Sequence, residues 1–141
     1  MIERSVIVGA DGRAKAYRPL PDEDRLAATI AGLEAYGAGD FFEAHELLEP
    51  AWMGTPDLAE RSLLQGLIKV AAADVHAVRG NPAGVRRNLE GARDRLRAGA
   101  GGTITGVTVD TDALLLAIDD RLEALGRGTD PGPFRIAWSR R

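Results

Sequence analysis

Between Leu63 and Ala73 the chain reads Leu-Leu-Gln-Gly-Leu-Ile-Lys-Val-Ala-Ala-Ala, a pattern that leaves a helix almost no polar face. Leu63, Leu64, Leu67, Ile68, Val70 and Ala71 cover most of the circumference, as in a helix buried on nearly all sides. Such a segment needs apolar neighbours around it, so the spacing predicts a central helix over about 56–79 with other helices packed against it. Thr55-Pro56 offers a cap followed by proline at the first helical position, and Gly80 offers the stop. Gly66, inside the helix, costs about 1 kcal/mol against alanine, so a close helix crossing is expected there.

The other segments read as helices too. Pro19 and Pro21 precede a helix that Asp22 can cap, with Leu26, Ile30 and Leu33 at helical spacing as far as about Tyr36. Gly37 to Asp40 breaks it, and Asp40 caps a second helix. Asn81-Pro82 repeats the cap-and-proline signal for a fourth helix ending before Gly99. Gly99 to Gly106 reads as a loop. Asp110 caps a fifth helix that carries Leu114, Leu115, Ile118, Leu122 and Leu125, and Gly126 ends it. The fold class is therefore all-α, a compact helical bundle of five main helices. Its parts are an N-terminal arm or small hairpin over 1–21, a helical domain over 22–126 and a docked tail over 127–141. Ser5 to Val8 is β-prone and Asp11-Gly12 is a turn signal, so the arm is either extended or a small hairpin, and a lone two-strand hairpin is marginal unless it docks. Phe134, Ile136 and Trp138 are the tail residues expected to dock. A faint repeat, Gly39-Asp40 echoed by Gly80-Asn81, suggests two helical hairpins side by side.

Composition removes several function classes. The 141 residues include no cysteine, so disulfides and thiolate metal sites are excluded. A net charge of −3 argues against nucleic acid as the main partner. The apolar run is too short for a bilayer, and Met1 to Arg4 lacks the order of a secretory signal, so a cytoplasmic protein without a membrane partner is the expectation. Gly99 to Gly106 has no Lys-Ser/Thr ending and is no phosphate loop, and no Gly-x-Ser-x-Gly elbow occurs. Arg86, Arg93 and Arg97 align on the fourth helix, but Glu90 interrupts them and the face reads as a solvated mixture.

Chemistry concentrates in two segments, and both histidines of the chain fall there. In the second helix Phe41, Ala44, His45, Leu48 and Trp52 share a face, with Glu49 one turn beyond His45 and Glu46 on the flank. In the third, Gln65, Lys69, Ala72 and His76 share another. Antiparallel packing of the two helices would place His45 opposite Gln65 to Ala72. Three readings stay open for this set. It is a buried polar network that fixes helix register; a pocket in which His45 and Gln65 bind a polar group; or a divalent-metal site on His45, Glu49 and His76. His-Glu-x-x-Glu lacks the second histidine of the His-Glu-x-x-His protease signature. Trp52 reads as core.

Gly39-Asp40-Phe41-Phe42-Glu43-Ala44-His45-Glu46, Leu48-Glu49, Trp52, Leu64-Gln65-Gly66-Leu67-Ile68, His76 and Gly80-Asn81 occur in the order and spacing of a known family. In these blocks, spread over about residues 24 to 98, the chain resembles the domain-of-unknown-function 309 family. The resemblance implies an all-α fold around one central helix and points at His45, Glu46, Glu49, Trp52, Gln65 and His76 as characteristic positions. It carries no function. Pro50 departs from a smooth helical pattern and is expected to kink the second helix just before Trp52.

These observations lead to a non-enzymatic binding or protein-interaction module with a polar pocket, lined by His45, Glu46, Glu49, Trp52, Gln65 and His76, between helices two and three. No cofactor is required on that reading, and the partner is a small molecule or a protein, with self-association through the arm or tail left open. The alternative is a metal-binding protein or metal-dependent hydrolase, with His45 and Glu49 as ligands and Glu46 as base.

Overall fold

The computed structural model describes residues 6–8 and 14–140. Five helices build it: α1 (Asp22–Gly37), α2 (Phe41–Met53), α3 (Leu58–Val78), α4 (Pro82–Ala98) and α5 (Thr111–Gly126). Short strands flank them: β1 (Val6–Val8), β2 (Ala14–Ala16), β3 (Thr103–Ile104), β4 (Val107–Val109) and β5 (Trp138–Arg140). α1 packs on α2 and α3 on α4 as two helical hairpins; α2 also lies against α3, and α5 against α4. No helix among the described residues is long and apolar enough to cross a membrane.

α3 is the centre, as its apolar circumference requires. Leu63, Leu64, Leu67, Ile68, Val70 and Ala71 are all buried, joined by Gln65, Gly66, Ala73 and Asp74. Each large aliphatic side chain so covered contributes roughly 1.5–3 kcal/mol. The crossing expected at Gly66 is with α4, where a β-carbon would stand 2.8 Å from Leu96 Cγ. Only a hydrogen fits there.

The helix starts divide into those that follow their sequence signals and those that do not. Asn81 Oδ1 accepts from the Gly84 N–H and Asp110 Oδ1 from the Ala113 N–H, both capping as expected. Asp22 does not cap α1: it occupies the first helical position, after Pro21, and pairs with Arg25 one turn on. Asp40 stands at the N-cap position of α2 without a side-chain cap bond. α3 starts later than Thr55-Pro56 suggests, because Asp57 Oδ2 takes the Glu60 N–H and becomes the cap. Thr55 instead donates its hydroxyl back to the Ala51 carbonyl at the end of α2. α2 continues through Pro50 to Met53, with Trp52 in the core.

The region expected to be a loop contains a small sheet. β3, β4 and β5 pair antiparallel in that order, with Thr103↔Thr108 and Val109↔Trp138 in register. Glycine density masks the alternation Val107-Thr108-Val109, whose valines are buried and whose threonine is not. The sheet also fixes the tail: β5 hydrogen-bonds along β4, and Ile136 is buried just before it. At the other end β1 and β2 form the expected hairpin, Val6↔Ala16, while the Asp11-Gly12 turn lies outside the described residues. The chain then runs beside the end of α2, with the Arg18 N–H donating to the Met53 carbonyl at 3.0 Å.

Candidate functional site

α2 presents the residues singled out in the sequence, and burial divides them. Ala44, Leu48, Ala51 and Trp52 face the core. His45, turned about 100° from Ala44 by the helical repeat, lies at the edge of that face, half-buried, with Nδ1 3.3 Å from Glu46 Oε1. Glu46 and Glu49 line a cavity of ≈ 330 Å³ against Arg18, Leu20 and Met53, where the chain entering α1 runs past the end of α2.

The α3 residues go elsewhere. Gln65 is buried. His76 meets the start of α4, where its ring lies over Gly84 so closely that a β-carbon there would be 2.5 Å from Nδ1. Asn81 Oδ1 takes the Gly84 N–H, which leaves Nδ2 facing His76 Nδ1 at 3.0 Å. With Asn81 Nδ2 as the donor, His76 Nδ1 is the acceptor in that contact. Lys69 lies along the same α3–α4 seam beside Gly91, and burial, helped by the Arg95 charge, lowers its pKa.

Of the six expected residues, Glu46 and Glu49 share the cavity beside Met53, His45 lies next to Glu46, Trp52 and Gln65 are buried, and His76 meets the start of α4. Among the described residues no group of three or more histidine, cysteine, aspartate or glutamate side chains is placed to hold a metal ion. His45, Glu49 and His76 do not supply the three protein ligands of a catalytic metal centre.

The buried charges lie elsewhere. Tyr36 Oη donates to Asp74 Oδ2 at 2.6 Å, and Arg121 Nη1 stands 2.8 Å from Asp74 Oδ1. Arg121 then donates through Nε and Nη2 to both oxygens of Asp130, and its guanidinium lies 5.6 Å from the centre of the Phe134 ring. Burial, then the Asp74 carboxylate, push the Tyr36 hydroxyl far above the usual phenol range. Burial works against the Arg121 charge, but Asp130 and Asp74 outweigh it and its pKa rises. The Arg121 hydrogen bond holds the Asp130 carboxyl below its ordinary value. This chain of contacts clamps α1, α3, α5 and the tail together. A smaller polar centre joins Arg25 to Asp22, Thr55 and Glu60, with Glu60 accepting from Thr105.

Among the described residues, one groove on the surface brings exposed apolar side chains together. Gly39, with φ +85°, turns the chain from α1 into α2. Beyond the turn Asp40, Phe42 and Glu43 face Val75, Val78 and Arg79 of α3 and its end across a cavity of ≈ 690 Å³. Phe42 is 61 % exposed and Val78 77 % exposed. Phe41, packed against Tyr36 with ring centres 5.2 Å apart and ring planes tilted by 58°, lines both this groove and a second one of ≈ 700 Å³ that reaches Phe134 and Trp138.

Residues 29–88 match the DUF309 family. That family is described as a domain of unknown function. No curated protein and no solved structure matches the chain. The DUF309 match runs from within α1 into α4, narrower than the blocks at 24 to 98, and takes in the whole of α2 and α3. It includes His45, Gln65, His76, Tyr36, Asp74 and the whole Phe42–Val78 groove. Arg121, Asp130 and the tail lie outside the DUF309 match.

Proposed function

We propose that this chain is a non-enzymatic protein-interaction module and that the groove between the start of α2 and the end of α3 is its contact surface. The observation that carries the reading is the pairing of Phe42 and Val78, two large apolar side chains exposed on opposite edges of one cavity. Exposed apolar side chains scattered singly are ordinary, whereas a rimmed concave pair is a contact site. The polar groups of the interior support it from the other side. Tyr36, Asp74, Arg121 and Asp130 are tied to one another by ion pairs and hydrogen bonds, and His76 is held by the residue that caps α4, so these groups have structural tasks. The partner surface is an apolar protein segment that fills the groove and pairs with charges on its rim.

Photo-crosslinking in the living host tests this. A benzoylphenylalanine side chain is placed at position 42, at position 78, or at position 116, where Leu116 is 67 % exposed on α5 outside the groove. Adducts of one identified protein should form from 42 and 78 and not from 116. Adducts from all three alike, or from none, overturn the reading.

A further inference from the structure

The two walls of the groove are complementary to each other. The α2 wall carries Phe42 with the acids Asp40 and Glu43, and the α3 wall carries Val78 with the base Arg79. Among the described residues none of these three charged side chains has an ion-pair partner within the chain. A groove of one charge sign would repel a copy of itself; this one offers each wall what the other lacks. A two-fold axis through the groove sets the α2 wall of one protomer against the α3 wall of its partner, and does so twice, the self-complementarity an isologous interface demands.

We infer that the occupant of the groove is a second copy of this chain, with Phe42 of each protomer packed on Val78 of the other and Glu43 facing Arg79. This rests on the groove being the contact surface. It covers the two exposed apolar side chains of the groove in one step and pairs the charges on its rim without a foreign partner. The groove involves far fewer than the roughly 20–30 residues a side of a standard interface, so the dimer is weak, with a dissociation constant on the order of 10–100 µM.

Sedimentation equilibrium of the full chain from about 10 µM to 1 mM spans that range. The mass of the wild type should climb from that of a monomer toward twice that value. Glu43→Arg or Arg79→Glu should weaken pairing roughly tenfold or more, since each places like charges together at both contacts. The double variant should recover most of the loss, and Phe42→Ser should abolish pairing, all four variants keeping the wild-type melting temperature because the changed side chains are exposed. A wild type that stays monomeric throughout, or a double variant as weak as the single ones, overturns self-pairing. The adducts formed from position 42 then separate the two failures: an identified foreign protein leaves the interaction surface standing, and no adduct removes both.

Discussion

Arg121 Nη1 lies 2.8 Å from Asp74 Oδ1, and both side chains are closed off from solvent, at 1 % and 0 % exposure. The pair joins α5 to the central helix, and Tyr36 from α1 completes the set. Burying two charges is expensive, and their attraction repays it only when the remaining donors and acceptors are matched. Here Tyr36 donates to Asp74 Oδ2 and Asp130 accepts from Arg121 Nε and Nη2, while Asp74 Oδ1 and Arg121 Nη1 meet as an ion pair without a well-aligned hydrogen bond.

Removing one member should therefore cost more than removing both. Asp74→Ala leaves the Arg121 guanidinium buried against Asp130 alone, and a loss of about 3–5 kcal/mol is expected, a fall in melting temperature of roughly 10 °C or more. Asp74→Leu combined with Arg121→Met should be markedly more stable than Asp74→Ala. Thermal melts of the three proteins at pH 7 check this, and equal losses would contradict it.

Tyr36 gives the fold a sensitivity to alkali. Its pKa in the folded protein lies above its value in the unfolded chain, so the folded state holds the phenolic proton more tightly. That contribution is fully present below the unfolded pKa of about 10 and is lost as pH climbs above it. Tyr36→Phe should cost about 1–3 kcal/mol at pH 7, because Asp74 Oδ2 loses its donor. The same variant should lose less stability than the wild type between about pH 10 and pH 12. Denaturant melts across that range test the crossover, and parallel curves would rule it out.

The contrast between the central helix and this polar clamp shows what the sequence reveals. α3 is legible because its signal is local: six apolar residues within nine positions and a glycine where a neighbour must approach. The caps Asn81 and Asp110 are legible for the same reason, since each acts on the N–H three residues on. Tyr36, Asp74 and Arg121 sit on three helices far apart in the chain, and no spacing rule brings them together. Asp74 is a hint in the sequence, an acid directly after the apolar run of α3. Rotation about α2 is harder to read from the sequence than the placement of the element. His45 is a neighbour of buried Ala44, and one helical step is enough to carry it to the flank.

Two glycine substitutions should move stability in opposite directions. At Gly66 a β-carbon would meet Leu96 at 2.8 Å from Cγ and 3.3 Å from the backbone N, so the α3–α4 crossing must open. Gly66→Ala should destabilise by about 1–3 kcal/mol, overpacking outweighing the gain in helix propensity. Gly126, the last residue of α5, has nothing within 4 Å of that position. Gly126→Ala should be neutral or stabilising by up to about 1 kcal/mol. Urea melts of both variants decide, and a stabilised Gly66→Ala would mean that the two helices are not in close contact there.

The two histidines should behave unequally, for reasons unrelated to a metal. His45 is partly exposed and its contact is with Glu46, the adjacent residue, so His45→Ala should change stability by no more than about 0.5 kcal/mol. His76 packs over Gly84 and accepts from Asn81, the residue that caps α4. His76→Ala removes that support and opens space beneath the first turn of α4, with an expected loss of about 1–2 kcal/mol. His76→Asn, which keeps a polar group near Asn81, should recover part of it. Zinc added to chelator-treated wild type should leave the melting temperature where it was, because three ligands do not converge; a ligand at a hundred times its dissociation constant would add about 2.7 kcal/mol. A zinc-dependent rise that either His→Ala variant abolishes would show that the histidines do meet around a metal.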